Sequence, residues 1–316
     1  VRRLAVALLV LTLATAAPAE PLRIAVISDL NGSYGSTEYG PEVSSALDRI
    51  IALRPDLVIS TGDMVAGQRR NPKLTTAELA AMWAAFHATV SDPLARSGLP
   101  LLVTPGNHDA SAYPGFEAER TAFAAAWADR APALVSLDSG GWPFRGAWTA
   151  HDVLLVGIDA TRSGPLADDD MAWLRGILQS QAGRYRTVIL FGHLPLMPIS
   201  RGREGDVLAD PALFDLAQTA GVDLWLSGHH HAFYSGSAGD ILFVAQAALG
   251  NGPRKLMGET DVSAQSFTWI EVDDNGRITV AAYPFPGHDT KLDADTLPPM
   301  LGTGAFRLTR ALSHPD

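Results

Sequence analysis

The chain has 316 residues, 47% of them hydrophobic, with 24 Lys and Arg against 34 Asp and Glu and a formal charge of −10. That is enough apolar material for one large core, while an acidic balance without clustered Lys or Arg excludes a general nucleic-acid clamp, which has to neutralise phosphates along its surface. The absence of cysteine excludes disulfides and thiolate zinc sites.

Residues 1–19 read as an export signal rather than as structure. Arg2 and Arg3 precede the apolar run Leu4 to Leu13, and Ala17-Pro18-Ala19 places small residues before Glu20. The run is short for a membrane span. The expectation is an exported protein, periplasmic or secreted, with no membrane span once the segment is removed. The remainder then carries 22 basic against 34 acidic residues, a net −12.

From Glu20 to about Pro286 the pattern alternates strands with helices, as in an α/β domain, and no repeat of fixed period interrupts it. Runs near 22–28, 56–60 and 99–104 are short and rich in Val, Leu and Ile, which predicts strands buried on both faces. Between the last two, Thr75 and Glu78 form a capping-box signature, and Leu79, Met82, Trp83 and Phe86 share one helical face. Further strands are expected near 153–159, 186–191, 223–227 and 241–246. Asp168-Asp169-Asp170 is expected to cap the helix that carries Met171, Trp173 and Leu174. Asp210-Pro211 starts another helix that Gly221 stops. Stretches 266–273 and 277–284, split by Asp274-Asn275-Gly276, predict a late hairpin. Residues 287–316, rich in Pro, Gly and polar side chains, form a tail that either wraps the domain or is disordered. Nothing specifies an oligomeric state.

Several of these strands end in metal-ligand residue types: Asp29, Asp63, Asn107 with His108, His193, and the triplet His229-His230-His231. Carboxylate, carboxamide and imidazole groups suit hard or borderline cations, and strand ends can bring them together from distant sequence. The spacing predicts a site for two metals. Gly62, Gly106, Gly192 and Gly228 directly precede ligand positions or the ligand motif, where the backbone must turn sharply.

The ordered series Asp29-Leu30-Asn31, Gly62-Asp63, Gly106-Asn107-His108-Asp109, Gly192-His193 and Gly228-His229-His230-His231 resembles the calcineurin-like metallophosphoesterases. The resemblance runs from Leu22 to about His231. It implies a two-sheet α/β sandwich of four layers, αββα, and a phosphoester hydrolase with two divalent ions, among which Mn, Fe, Zn, Mg and Ca are not distinguished. It further implies that Asp29 and His231 hold the first ion, that Asp63 bridges, and that Asn107, His193 and His229 hold the second. His108 would assist the leaving oxygen or the transition state and Asp109 would orient that histidine, while His230 falls at a variable position. Independently of the resemblance, two divalent cations about 3.5–4 Å apart can share a hydroxide and hold both the attacking and leaving oxygens of a phosphate. With two carboxylates and that hydroxide the centre keeps a charge near +1, which favours a small anionic phosphoester.

Two positions depart from the family pattern. Asn31 stands where the family usually has histidine; its amide oxygen can ligate the first metal but is a weaker donor than imidazole, so that site is expected to prefer a harder ion or bind less tightly. The alternative is that Asn31 only shapes an Asn31-Gly32 turn. Ala66 stands three residues after Asp63, where purple acid phosphatases carry a tyrosine. Around the site, Tyr34, Thr37, Arg254 and Lys255 are candidate substrate contacts, set against ordinary solvated loop roles. His87, His151, His288 and His314 are expected to serve packing or surface roles. The alternatives to phosphate mono- or diester hydrolysis are a metal-dependent hydrolase of another bond and a metal-binding scaffold impaired in catalysis.

Overall fold

The structure is a computed structural model that describes residues 21–250, 252–302 and 307–314. The expected export signal lies outside the described residues. Among the described residues, no helix is long and apolar enough to cross a membrane.

In chain order the strands are β1 (Leu22–Ile27), β2 (Leu57–Ser60), β3 (Leu101–Val103), β4 (Val135–Asp138), β5 (Gly146–Ala150), β6 (Val153–Gly157) and β7 (Thr187–Phe191). They continue with β8 (Leu224–Ser227), β9 (Tyr234–Ala238), β10 (Ile241–Ala245), β11 (Ser266–Val272), β12 (Ile278–Pro284), β13 (Met300–Leu301) and β14 (Leu308–Arg310). The helices are α1 (Pro41–Leu53), α2 (Thr76–Phe86), α3 (Asp92–Arg96), α4 (Asn107–Ala110), α5 (Glu117–Trp127), α6 (Asp168–Gln181) and α7 (Pro211–Thr219).

These strands form two mixed sheets, ordered β12-β11-β1-β2-β3 and β13-β14-β9-β10-β8-β7-β6-β5-β4. Strand periodicity explains the layering, because alternate residues point to opposite faces. In β1, Leu22, Ile24 and Val26 join Leu57, Ile59 and Leu102 in a core shared with the second sheet. Their neighbours Ala25 and Ile27 pack instead with Val43 and Ile50 of α1, Met82 and Phe86 of α2, and Phe123 of α5. Leu174 and Leu178 of α6 and Leu213 and Leu216 of α7 join the core of the second sheet. The result is the α/β sandwich expected from the sequence.

Local signals act where they were expected. The Thr75 side chain accepts from the Glu78 N–H and Glu78 returns a bond to the Thr75 N–H, closing the capping box of α2. Asp210 caps α7 through the Ala212 and Leu213 N–H groups. The aspartates of α6 need a correction: the N-cap is Ala167, and no side chain caps this helix. Asp168, Asp169 and Asp170 occupy the first turn instead, where negative charge complements the helix dipole, and Asp170 pairs with Arg145.

Strands β4, β5, β9, β13 and β14 have no counterpart among the sequence expectations. Segments such as GAWTA in β5 and YSGSA in β9 have weak strand propensity, and they become strands by pairing antiparallel with the apolar β6 and β10. Beyond Gly287, His288 is fully buried, with its ring nitrogens 2.7 Å from the Tyr283 carbonyl and 3.3 Å from that of Glu42. Strand β14 pairs with β9, and Ser313 bridges to Thr279.

Two stability outcomes follow from this packing. Ile59→Ala, at a fully buried position between the sheets, should cost about 3 kcal/mol in urea unfolding. His87 lies buried against Ser91 Oγ (2.8 Å) and the Ala126 carbonyl (3.1 Å), and burial, followed by the Arg130 charge, lowers its pKa below the ordinary 6.5. The unfolded chain therefore binds the extra proton more readily, so the contribution of His87 is present above pH 6.5 and is lost as the pH falls below it. Urea midpoints compared at pH 7.5 and pH 5 should drop less for His87→Gln than for the wild type.

Candidate metal centre

Parallel pairing brings the C-terminal ends of β1, β2 and β3 side by side, and those of β7 and β8 likewise. The loops that leave these ends therefore meet at one edge of the sandwich, where open α/β sheets place their sites. Ile27 is level with Ser60, so Asp29 N–H donates to the Gly62 carbonyl (3.0 Å), and Leu30 and Asn31 N–H both reach the Asp63 carbonyl. Across the sheets, the His229 N–H lies 3.1–3.2 Å from both Asp29 carboxylate oxygens. Two residues force glycine here. A side chain on Gly106 would overlap the backbone and carboxylate of Asp63, and one on Gly228 would overlap the Ser28 hydroxyl.

Asp29 and Asp63 are buried, and each has a positive φ of 53°. His229 and His231 share that left-handed region, at 65° and 52°. Non-glycine residues held there cost about 1–3 kcal/mol each and concentrate at functional sites.

The donor atoms form two triads that share Asp63: Asp63, His193 and His229 in one, Asp29, Asp63 and His231 in the other, with ligand atoms in each within 4.8 Å of one another. Asp63 Oδ2 is 3.3 Å from His193 Nε2, and Asp29 Oδ1 is 3.0 Å from His231 Nε2. His193 Nδ1–H donates to the Thr61 carbonyl (2.9 Å) and His231 Nδ1–H to that of Gly252 (2.7 Å). With Nδ1–H so engaged, Nε2 is the nitrogen that each ring turns to the centre, the arrangement that orients ligating imidazoles. His193 Nε2 also meets Asn107 Oδ1 at 2.9 Å and His229 Nδ1 at 3.2 Å. Carboxylate oxygens, an amide oxygen and imidazole nitrogens converge there with few protons to share, so the donor set fits cations.

The charges agree with that geometry. Burial opposes ionisation of Asp29 and Asp63, yet the facing histidines, His231 for the first and His193 for the second, hold both below the ordinary carboxylate range. Burial disfavours a charged His193 as well, but Asp63 outweighs it and raises the imidazole to about 9. In the metal-free protein a proton on His193 thus offsets the carboxylates. Burial, reinforced by the charge of His193, keeps His229 well below its ordinary value.

The neighbouring predicted residues divide. Asn31 is buried and shapes the turn through its N–H bond to the Asp63 carbonyl (3.2 Å). His230 is fully buried: its Nδ1 accepts from the Ile199 and Ser200 N–H groups and its Nε2–H donates to the Asp206 carbonyl, so it pins the 195–209 loop. The Tyr34 ring stacks on His108 at 5.5 Å, while Thr37 is exposed. Arg254 donates to the His229 carbonyl (2.7 Å), and Lys255 is exposed.

Asp109 requires a correction. Its carboxylate does not orient His108; it accepts from the Met64 and Val65 N–H groups (2.9 Å each) and from Gly106 N–H (2.8 Å). These bonds brace the Asp63 loop against α4, while burial and the nearby Asp63 raise this carboxyl to about 7. His108 is oriented by the Gly67 carbonyl, 2.8 Å from Nδ1, which turns Nε2 toward Asp63 Oδ2 at 4.0 Å. Sequence reasoning also missed Ser28, Thr61 and Gln68, ordinary polar residues that carry no motif of their own. Ser28 Oγ donates to Asp29 (2.6 Å) and receives from Thr61 Oγ1 (2.7 Å).

Two mixed sheets with buried carboxylate and imidazole donors at their strand ends define a candidate metal centre on an α/β sandwich. The calcineurin-like phosphoesterase family matches residues 22–233, and the chain belongs to it. Among solved structures, a purple acid phosphatase from yellow lupin (Lupinus luteus) seeds is similar at a TM-score of 0.63 and 15% identity, over 84% of this chain and 52% of that one. This chain thus spans about half the length of the lupin protein. A dimetal phosphatase from Danio rerio matches at 0.60 and 13% identity, over 92% and 100% of the two chains. GAP50, the anchor in the inner membrane complex of Plasmodium, matches at 0.56 and 15% identity, over 84% of each. At these identities the likeness is one of fold. No curated protein sequence matches the chain.

Because a side chain at Gly106 would displace Asp63, Gly106→Ala should lower manganese affinity at least tenfold by isothermal titration calorimetry.

Proposed function

We propose that this protein is a dinuclear metal-dependent hydrolase of small phosphate mono- or diesters that works outside the cytoplasm. The observation that carries the reading is the position of Asp63, whose carboxylate belongs to both donor triads. A shared carboxylate lets two like charges sit close together. When bound, two divalent cations lower the proton affinity of water and polarise phosphoryl oxygens.

The chain's own groups supply the rest. Asp29 and His231 hold one side of the centre, and Asn107, His193 and His229 hold the other. Asn107 and the half-buried Arg254, which donates to the His229 carbonyl, would receive phosphoryl oxygens. His108, with Nδ1–H on the Gly67 carbonyl, presents Nε2 to the departing oxygen and, as imidazolium, gives it a proton. Two divalent charges against two carboxylates leave the site positive, which draws a dianion to an acidic protein. Past Ser111, a cleft of about 460 Å³ lined by Tyr113, Arg120, Thr161 and Arg162 has room for the organic part of an ester. Export rests on the charged, apolar and small-residue sequence of 1–19.

Chromogenic mono- and diesters assayed with manganese, against chelator-treated protein, test the activity. Metal-dependent cleavage of neither ester overturns the reading. Asp63→Ala or His229→Ala should abolish turnover and lower metal content. His108→Ala should slow turnover by about 10²–10⁴-fold with metal content retained. Protein recovered from an exporting bacterial host should begin at Glu20; recovery from its cytosol with residues 1–19 attached would refute export.

A further inference from the structure

Asn107 can serve the centre only if its amide oxygen, not its NH₂, faces the cations. The two ends differ by a half-turn about one bond, and only the oxygen carries lone pairs. Something must choose between them. Asn107 Nδ2 donates to Gln68 Oε1 at 2.9 Å, and Gln68 Nε2 donates in turn to Ser111 Oγ at 3.2 Å. The Ser111 hydroxyl, which also accepts from the Tyr113 N–H (3.2 Å), here accepts from Gln68 Nε2 and leaves Oε1 as the acceptor for Asn107, whose Oδ1 is then turned to His193 Nε2, 2.9 Å away.

The backbone is shaped to make this possible. Gln68 has a φ of 67°, an unfavourable conformation for a residue with a side chain. The preceding Gly67 gives its carbonyl to His108 Nδ1, and a side chain on Gly67 would collide with the His108 carbonyl. Two consecutive residues of the loop after Asp63 therefore hold the two consecutive residues that begin α4.

We propose that Gln68 is a positioning residue that sets the amide orientation of Asn107, and through it the affinity of the second cation, with Ser111 fixing Gln68. This rests on the dinuclear reading above. An acceptor at position 68 is the requirement, so its removal and its replacement have opposite outcomes.

Manganese titrations by calorimetry, with electron paramagnetic resonance of the coupled ion pair, test this on the whole protein. Gln68→Met keeps the length and removes the acceptor; the weaker of two manganese sites should lose about 10–100-fold in affinity, and the coupled signal should fade at limiting metal. Gln68→Glu keeps an acceptor for Asn107 and should recover most of that loss, which a merely structural role would not produce. Ser111→Ala, should Gln68→Met fail to fold, should weaken the same site in the same direction by a smaller factor. Wild-type affinity in Gln68→Met, or equal losses in Gln68→Met and Gln68→Glu, would overturn the assignment alone. A wild-type protein that takes up fewer than two manganese ions would instead overturn the dinuclear reading, and this assignment with it.

Discussion

Keeping two carboxylates charged inside a protein is expensive unless opposite charge and hydrogen-bond donors surround them. Asp29 and Asp63 are buried at adjoining strand ends, and much of the surrounding structure answers that constraint. Backbone N–H groups of His229 and His108 point at them, the Ser28 hydroxyl donates to Asp29, and imidazole edges close the remaining sides. The same neighbours that restrain the carboxylates leave lone pairs directed to common points, so a site that tolerates buried negative charge is also one that attracts cations.

Local strain belongs to the same design. Asp29, Asp63, His229 and His231 all adopt left-handed backbone conformations, which bend the chain sharply as it leaves each strand and turn the side chain inward. Isolated loops would relax from such conformations. Here the flanking strands are locked in parallel register and the turns are tied across to one another, Gly250 N–H to the Asp29 carbonyl among them. The rigid sheets hold the turns in place, and the turns hold the donors.

Sequence periodicity showed the buried strands β1, β2, β3, β6, β7, β8 and β10 because each is apolar on both faces and carries its own signal. It also placed the donors at strand ends, since Asp, Asn and His immediately after a Val-Leu-Ile run are conspicuous. It did not show β5 or β9, whose small residues pair only because an apolar neighbour is already in position. The role that the resemblance implied for Asp109, orienting His108, is not what the fold gives it, because α4 turns the two side chains apart: the carboxylate to the amides of Met64, Val65 and Gly106, the imidazole to Gly67.

The amino-acid sequence by itself determined the α/β character, the capping of α2 and α7, and the identities of the residues able to ligate a metal, because these depend on side-chain chemistry and on periodicity over a few residues. Tertiary structure alone decided that Asp63 stands between two groups of donors, that the Gly67 carbonyl and Gln68 side chain orient His108 and Asn107, and that both ring nitrogens of His230 are bonded to the 195–209 segment. Those outcomes depend on distances between segments tens to hundreds of residues apart, which are fixed only when the two sheets pack and bring the ends of β1, β2, β3, β7 and β8 to one edge.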